Sequence, residues 1–173
     1  MIQFIISGIS GVVGALLTAI GSYCIYRIRQ KNQINTTKFH LYMIVNQMKN
    51  DIDNAYKRLV EKDTCMISPL FVYDGTYNYI ESLCELKGML SVDEIQIVNQ
   101  FFEDVKSFDN IRMSLNNTLS ILNSGQGSFP VDYYTNTQIS YNFLFEKYKN
   151  SLEEFKKKNY YQGQLILLLD KLK

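Results

Sequence analysis

Residues Ile2 to Tyr26 form an unbroken, mostly apolar run of 25 residues without a charged side chain. About 20 residues at 1.5 Å rise each cross a hydrocarbon core of ~30 Å. Within one segment, only a helix satisfies its own backbone N–H and C=O groups there. The run therefore predicts one N-terminal transmembrane helix. A cleavable secretion signal would carry a basic stretch first, a shorter apolar core and a small-x-small site after it. Here no base precedes the run, and its far end reads Ser22-Tyr23-Cys24-Ile25-Tyr26. Tyr23 ahead of Cys24 also spoils a lipoprotein-type cleavage box. The first bases are Arg27, Arg29 and Lys31, immediately after the run. The positive-inside bias then places the N-terminus outside and everything that follows in the cytoplasm of a cell (inner) membrane. Near an anionic surface each of these bases contributes about 1 kcal/mol of headgroup attraction.

The anchor is rich in small residues. Ser7, Gly11, Ala15 and Ala19 recur every four positions, and so do Ser10, Gly14, Thr18 and Ser22. Two adjacent helix faces are thus smooth. Such faces let helices approach closely and pack. Ser7, Gly11, Gly14, Ala15, Thr18 and Ala19 are the expected self-association residues, making the chain a homo-oligomer in the bilayer. The absence of charge in the run argues against a selective ion pathway, which places ionisable groups at that depth.

Charge is confined to the rest of the chain. Setting aside Arg27 and Arg29 leaves 16 of the 18 bases against all 17 acids in residues 31–173. This near-neutral balance lacks the excess of Lys and Arg that general nucleic-acid binding needs. Cys24, Cys65 and Cys84 have no metal-ligand spacing, and His40 is the lone histidine. No disulfide scaffold, metal site or cofactor is expected. Unpaired thiols fit a reducing compartment.

The domain expected over residues 31–173 reads as helical. No Gly or Pro lies between Tyr26 and Val60, so the anchor is expected to run into the next helix. Leu41, Ile44, Val45, Met48, Ile52, Ala55, Tyr56 and Leu59 mark one helix face. Pro69 and Asp74-Gly75 break the pattern, with a short extended piece over residues 70–73. A short helix over 76–87 would bury Ile80, Leu83 and Cys84, and Gly88 would close it. Ser91 with Glu94 forms a capping box, flanked by Leu90 and Ile95 as a hydrophobic staple. The helix that follows would bury Val98, Phe101, Phe102, Val105, Phe108, Leu115, Leu119 and Leu122, with a kink near residues 107–110. Residues 123–132 read as a loop. Helix returns over 133–158, with Tyr141, Leu144, Phe145, Tyr148, Leu152 and Phe155 on one side and Glu153 and Glu154 four residues before Lys157 and Lys158. Gly163 interrupts before a final apolar helix over 165–172. The expected fold is all-α: a transmembrane anchor with its basic border over 1–30, then a bundle of about four helices.

Chemistry-bearing patterns are sparse. Asp51 and Asp53 lie too far along the helix from His40 to make a catalytic pair. Residues 124–128 lack the Lys and preceding strand of a phosphate loop, and Asp132 opposes an anion at the next helix start. No catalytic residues are assigned, and no enzyme is expected. Aromatics offer more: Tyr73, Tyr77 and Tyr79 cluster by the first loop, and Tyr133 and Tyr134 by the second. Tyrosines stack on nucleotide bases and are frequent in protein interfaces; they also sit commonly at half-buried core edges.

With the Ser7-Gly11-Ala15-Ala19 face, the Arg27-x-Arg29-x-Lys31 border and the compact helical remainder, the layout resembles small membrane-anchored bacterial effectors of antiphage systems. That resemblance is one of architecture over the whole chain and carries no signature motif. It implies a cytoplasmic domain that binds a signal, a cyclic nucleotide by analogy, and membrane helices that assemble to perturb the bilayer. Two alternatives compete. One is a non-enzymatic scaffold that recruits a soluble protein through the tyrosines; the other is an exclusion protein acting on another membrane protein.

Overall fold

The computed structural model describes residues 2–60, 78–124 and 130–173, with side chains from Val13 onward and Val60 excluded. Five α-helices account for almost all of them: α1 (Ile2–Val60), α2 (Tyr79–Glu85), α3 (Val92–Ser124), α4 (Val131–Lys157) and α5 (Leu165–Leu172), the last preceded by a π-helical turn, Tyr160–Gln164. No strand occurs among the described residues. The extended piece expected over 70–73 lies outside them.

Helix α1 is continuous through the border between the expected anchor and domain. At 1.5 Å per residue it is ~90 Å long. Its two halves have different surroundings. From Val13 to Gln33 every side chain is exposed. From Ile34 onward one face enters the bundle, with Leu41, Val45, Met48, Ile52 and Ala55 buried and Ile44, Tyr56 and Leu59 packed at its edge. The four- and three-residue spacing of these positions is the reason one face is covered. Among the described residues no helix is long and apolar enough to cross a membrane. The expected span begins at Ile2, and the side chains of residues 2–12 lie outside the described residues.

Helices α3 and α4 form an antiparallel hairpin. Phe101 meets Phe155 edge-on at 6.1 Å between centroids, and Phe108 meets Tyr148 at 5.0 Å, so the two chains run in opposite senses. Phe155 and Tyr161 pack edge-on at 4.9 Å, while Tyr79 stacks flat on Phe102 at 4.2 Å and brings α2 onto the hairpin. Leu165, Leu168, Leu169 and Leu172 of α5 are all buried. One face of this final apolar helix is therefore core, while Ile166 and Leu167 stay exposed.

The start of α3 follows its sequence signature. The Ser91 N–H donates to Glu94 Oε2 at 2.6 Å, and the Glu94 N–H donates to Ser91 Oγ at 3.2 Å. Leu90 is buried and Ile95 packs against the core, as a staple would. Lys171 of α5 also reaches Glu94, at 2.8 Å, and together with the Ser91 donors outweighs burial to hold the Glu94 carboxyl below its usual range. Ser91→Ala should lower stability by about 1 kcal/mol, since one orphan helix N–H loses its acceptor. Urea denaturation followed by helical circular dichroism measures that loss, and Ser91→Asp should restore most of it.

Three local expectations need correction. Cys84 and Ile80 are exposed, and Leu86 is buried in their place. Helix α2 begins at the Asn78 cap, whose Oδ1 accepts from the Glu81 N–H at 3.3 Å. It ends at Glu85, because residues 86–90 turn to send both Leu86 and Leu90 inward. Gly88 does not close that helix; its Cβ position is open and its backbone is not left-handed. Helix α3 runs without interruption through residues 107–110, where Ser107 and Asn110 are exposed.

Candidate functional site

The expected self-association residues fall on the free half of α1. Ser7 and Gly11 have side chains outside the described residues. Gly14, Ala15, Thr18 and Ala19 are exposed, and a Cβ at Gly14 would meet nothing within 4 Å. Thr18 donates its hydroxyl back to the Gly14 carbonyl at 2.9 Å, which hides that polar group within the helix. The basic border is exposed as well. Arg27 bonds the Tyr23 hydroxyl through Nε at 2.9 Å and lies over its ring at 5.5 Å. Arg29 and Lys31 project into solvent.

Of the five tyrosines expected to meet a ligand or partner, three are described. Tyr73 and Tyr77 lie outside the described residues. Tyr79 is half-buried against Phe102, with its hydroxyl 3.4 Å from Glu103. Tyr133 and Tyr134 are exposed at the first turn of α4, the opposite end of the hairpin from Tyr160 and Tyr161.

A different group of residues does converge, where α1, the end of α4 and the π turn meet. Asp53 accepts from Lys49 at 2.7 Å, from Tyr161 at 2.8 Å and from Lys156. Lys156 sits over both the Tyr161 and Tyr56 rings, at 5.0 and 5.7 Å. Alongside, Asp104 of α3 accepts from Lys158 at 2.6 Å and from the Tyr160 hydroxyl. Two carboxylates thus tie the π turn to α1 on one side and to α3 on the other. The sequence signal was faint. Lys49 and Asp53 stand four apart on α1, but the other partners are more than fifty residues away. Of the charge pairs expected on α4, Glu153 reaches Lys157 at 3.9 Å, while Lys158 goes to Asp104 instead.

These contacts set protonation states. Burial works against the Asp53 charge, yet hydrogen bonds from Lys156, Lys49 and Tyr161 outweigh it and hold the carboxyl below its ordinary range. Its contribution to stability is present above the ordinary value of 3.8 and disappears as pH falls through the lower folded value. Burial first, and the Asp104 carboxylate second, push the Tyr160 hydroxyl far up; burial and Asp53 do the same to Tyr161. Burial raises Tyr148 to about 12, against the opposing charge of Arg112. A folded pKa above the unfolded value of 10.0 stabilises the fold below pH 10 and ceases to as pH rises through the folded value. In an alkaline titration read at 295 nm, these three of the 13 tyrosines should ionise only as helicity is lost. Their ionisation near pH 10 with helicity intact would contradict the burial.

A second polar feature lies deeper. Arg112 Nε bonds Asp109 Oδ1 at 2.6 Å, both residues being buried in α3 beside a small cleft lined by Met48, Ile52, Val105 and Phe108. Every buried polar side-chain atom among the described residues has a partner. Chemically, the described surface offers ion-pair clamps and aromatic packing. Among the described residues no three His, Cys, Asp or Glu side chains gather to hold a metal. No family model matches the sequence, and no curated protein or solved structure matches it significantly.

Proposed function

We propose that this chain is a membrane-tethered effector. Its N-terminal helical segment inserts and self-associates in a bilayer, and its cytoplasmic bundle is the part that receives a signal. One observation carries the reading: the free half of α1 is apolar, exposed and joined to a core helix without a break. Val13, Leu16, Leu17, Ile20, Tyr23 and Ile25 are each about half exposed or more. A helix that presents apolar side chains around most of its circumference needs an apolar surrounding. The uncharged sequence of residues 2–26 supplies the length for a bilayer, and Arg27, Arg29 and Lys31 supply its cytoplasmic border. Because α1 is one helix, a shift of the bundle about it carries to the membrane without slack. The signal is a small nucleotide by resemblance in layout.

The test is extraction of the full chain from expressing cells. Alkaline carbonate should leave it in the membrane pellet, and a C-terminal label should be inaccessible from outside. Replacing Leu17 and Ile20 together by Arg should move it to the supernatant, because each such charge costs about 2.5–3.5 kcal/mol at mid-bilayer. A membrane-potential dye should report permeabilisation on addition of cyclic nucleotides, and Gly11→Leu with Ala15→Leu should suppress it. Wild-type protein recovered in the supernatant would end the membrane reading.

A scaffold is the second reading, favoured by one surface. Val131, Ile139 and Phe143 of α4 are exposed by 80%, 61% and 68%. A chain that stays in the membrane, leaves the potential unchanged and co-purifies with one soluble protein would be that scaffold.

A further inference from the structure

The outward face of α1 has an unusual composition beyond the membrane border. Ile28, Asn32, Thr36, Phe39, Met43 and Asn50 fall on one line by the ~100° advance of an α-helix per residue. That line lies about 180° from the buried Leu41–Val45–Met48–Ile52 face by the same advance. It is thus the most solvent-facing line of the helix. Ile28, Phe39 and Met43 are exposed by 60%, 55% and 47%. A line opposite a core ordinarily carries the charges. Here, from Arg27 to Asn50, the charged side chains stand on its flanks, with Arg29 on one side and Lys31, Lys38 and Lys49 on the other.

We infer that this line is the contact between two parallel copies of the chain, side by side along α1. The inference rests on the membrane reading for the parallel sense, because copies inserted in one bilayer share a direction. Three observations select a second copy as the occupant. From Ile28 to Asn50, up to Lys57 one heptad further on, the line is uncharged, so over that length it meets itself about a two-fold axis without opposing like charges, the self-complementarity a symmetric dimer requires. Its Asn32 stands between Ile28 and Phe39 on the line, and Asn within an apolar helix seam pairs with its own copy and fixes register. The line also continues into the anchor, through Ile25, Gly21, Thr18 and Gly14. At Gly14 and Gly21 a Cβ would meet nothing within 4 Å, so neither glycine is small for any reason inside its own chain. A helix partner approaching there gives the missing reason.

Cysteine cross-linking in native membranes tests this. Cys24, Cys65 and Cys84 are first replaced by Ser. Single Ile28→Cys, Asn32→Cys, Phe39→Cys and Met43→Cys variants are then oxidised beside Lys31→Cys and Lys38→Cys. Disulfide dimers should form at the first four positions roughly tenfold faster than at the two flanking ones, because a bond needs Cβ atoms within about 4.5 Å. Equal rates at all six, or no dimer at any, would overturn the inference. Phe39→Glu with Met43→Glu should convert a dimer to a monomer in detergent sedimentation with helicity unchanged, and a persistent dimer would overturn it too. The two readings fail separately. Protein that resists carbonate but shows no cross-linking pattern keeps its anchor and loses this interface. Protein released by carbonate loses the anchor, and the pattern over residues 32–43 still decides the interface.

Discussion

Phe101→Ala should remove about 3–5 kcal/mol from the stability of the bundle, the usual cost of emptying a buried aromatic site. Phe101 is fully buried. It touches Phe102, Phe155 and Tyr161 at centroid distances of 6.0, 6.1 and 6.5 Å, so its ring joins α3, α4 and the π turn. Truncation leaves a void between three elements that are also held by the Asp53 and Asp104 clamps, which limits collapse into the space. Against a typical total of about 5–15 kcal/mol, the loss is a large fraction. Phe143→Ala is the control. That ring is 68% exposed, and its loss should shift the urea midpoint by an amount equivalent to about 0.5 kcal/mol or less. Similar midpoints for the two variants would mean that the aromatic cluster is not where the bundle is held.

The second large effect concerns charge. Arg112→Met should cost about 3–5 kcal/mol, because it leaves the Asp109 carboxylate buried without its partner. The pair is well shielded, with side chains 5% and 11% exposed. Replacing both, as Asp109→Leu with Arg112→Met, should be neutral or even stabilising by about 1–4 kcal/mol, since neither charge is then removed from water. Comparing the double variant with the single one separates the desolvation of Asp109 from loss of Arg112 packing. A double variant as unstable as the single would show that the cost lies in the packing of the long Arg112 stem.

How far these features were legible in the sequence follows from the range of the interactions. Periodicity found the buried faces of α1, α3 and α4, because a face is a local property of spacing. The Ser91–Glu94 box was legible for the same reason. Rotation of a short helix was not. In α2 the choice between Cys84 and Leu86 is set by the turn over residues 86–90, not by seven residues of pattern. Nothing local to Asp109 and Arg112, two charges three apart, marks them as interior; the packing around α3 buries them. The Asp53 and Asp104 clamps left only the Lys49–Asp53 spacing as a trace, since their other partners come from distant parts of the chain. Of the tyrosines set apart in the sequence, Tyr79 stacks on Phe102, a contact with a residue more than twenty positions away that no local pattern shows.

The widened turn at Tyr160–Gln164 has a consequence for how the last helix is phased. An ordinary α-helical pitch would set Tyr160 and Leu165 about 140° apart around the axis. The looser winding brings them nearer one side, so two neighbouring phenols and the leucine ridge all point inward. Winding the same five steps as ordinary α-helix, with the leucines kept in their seat, would swing Tyr160 out of line and leave Asp104 to Lys158 alone. One surplus residue thus decides whether adjacent side chains can grip two different helices at once.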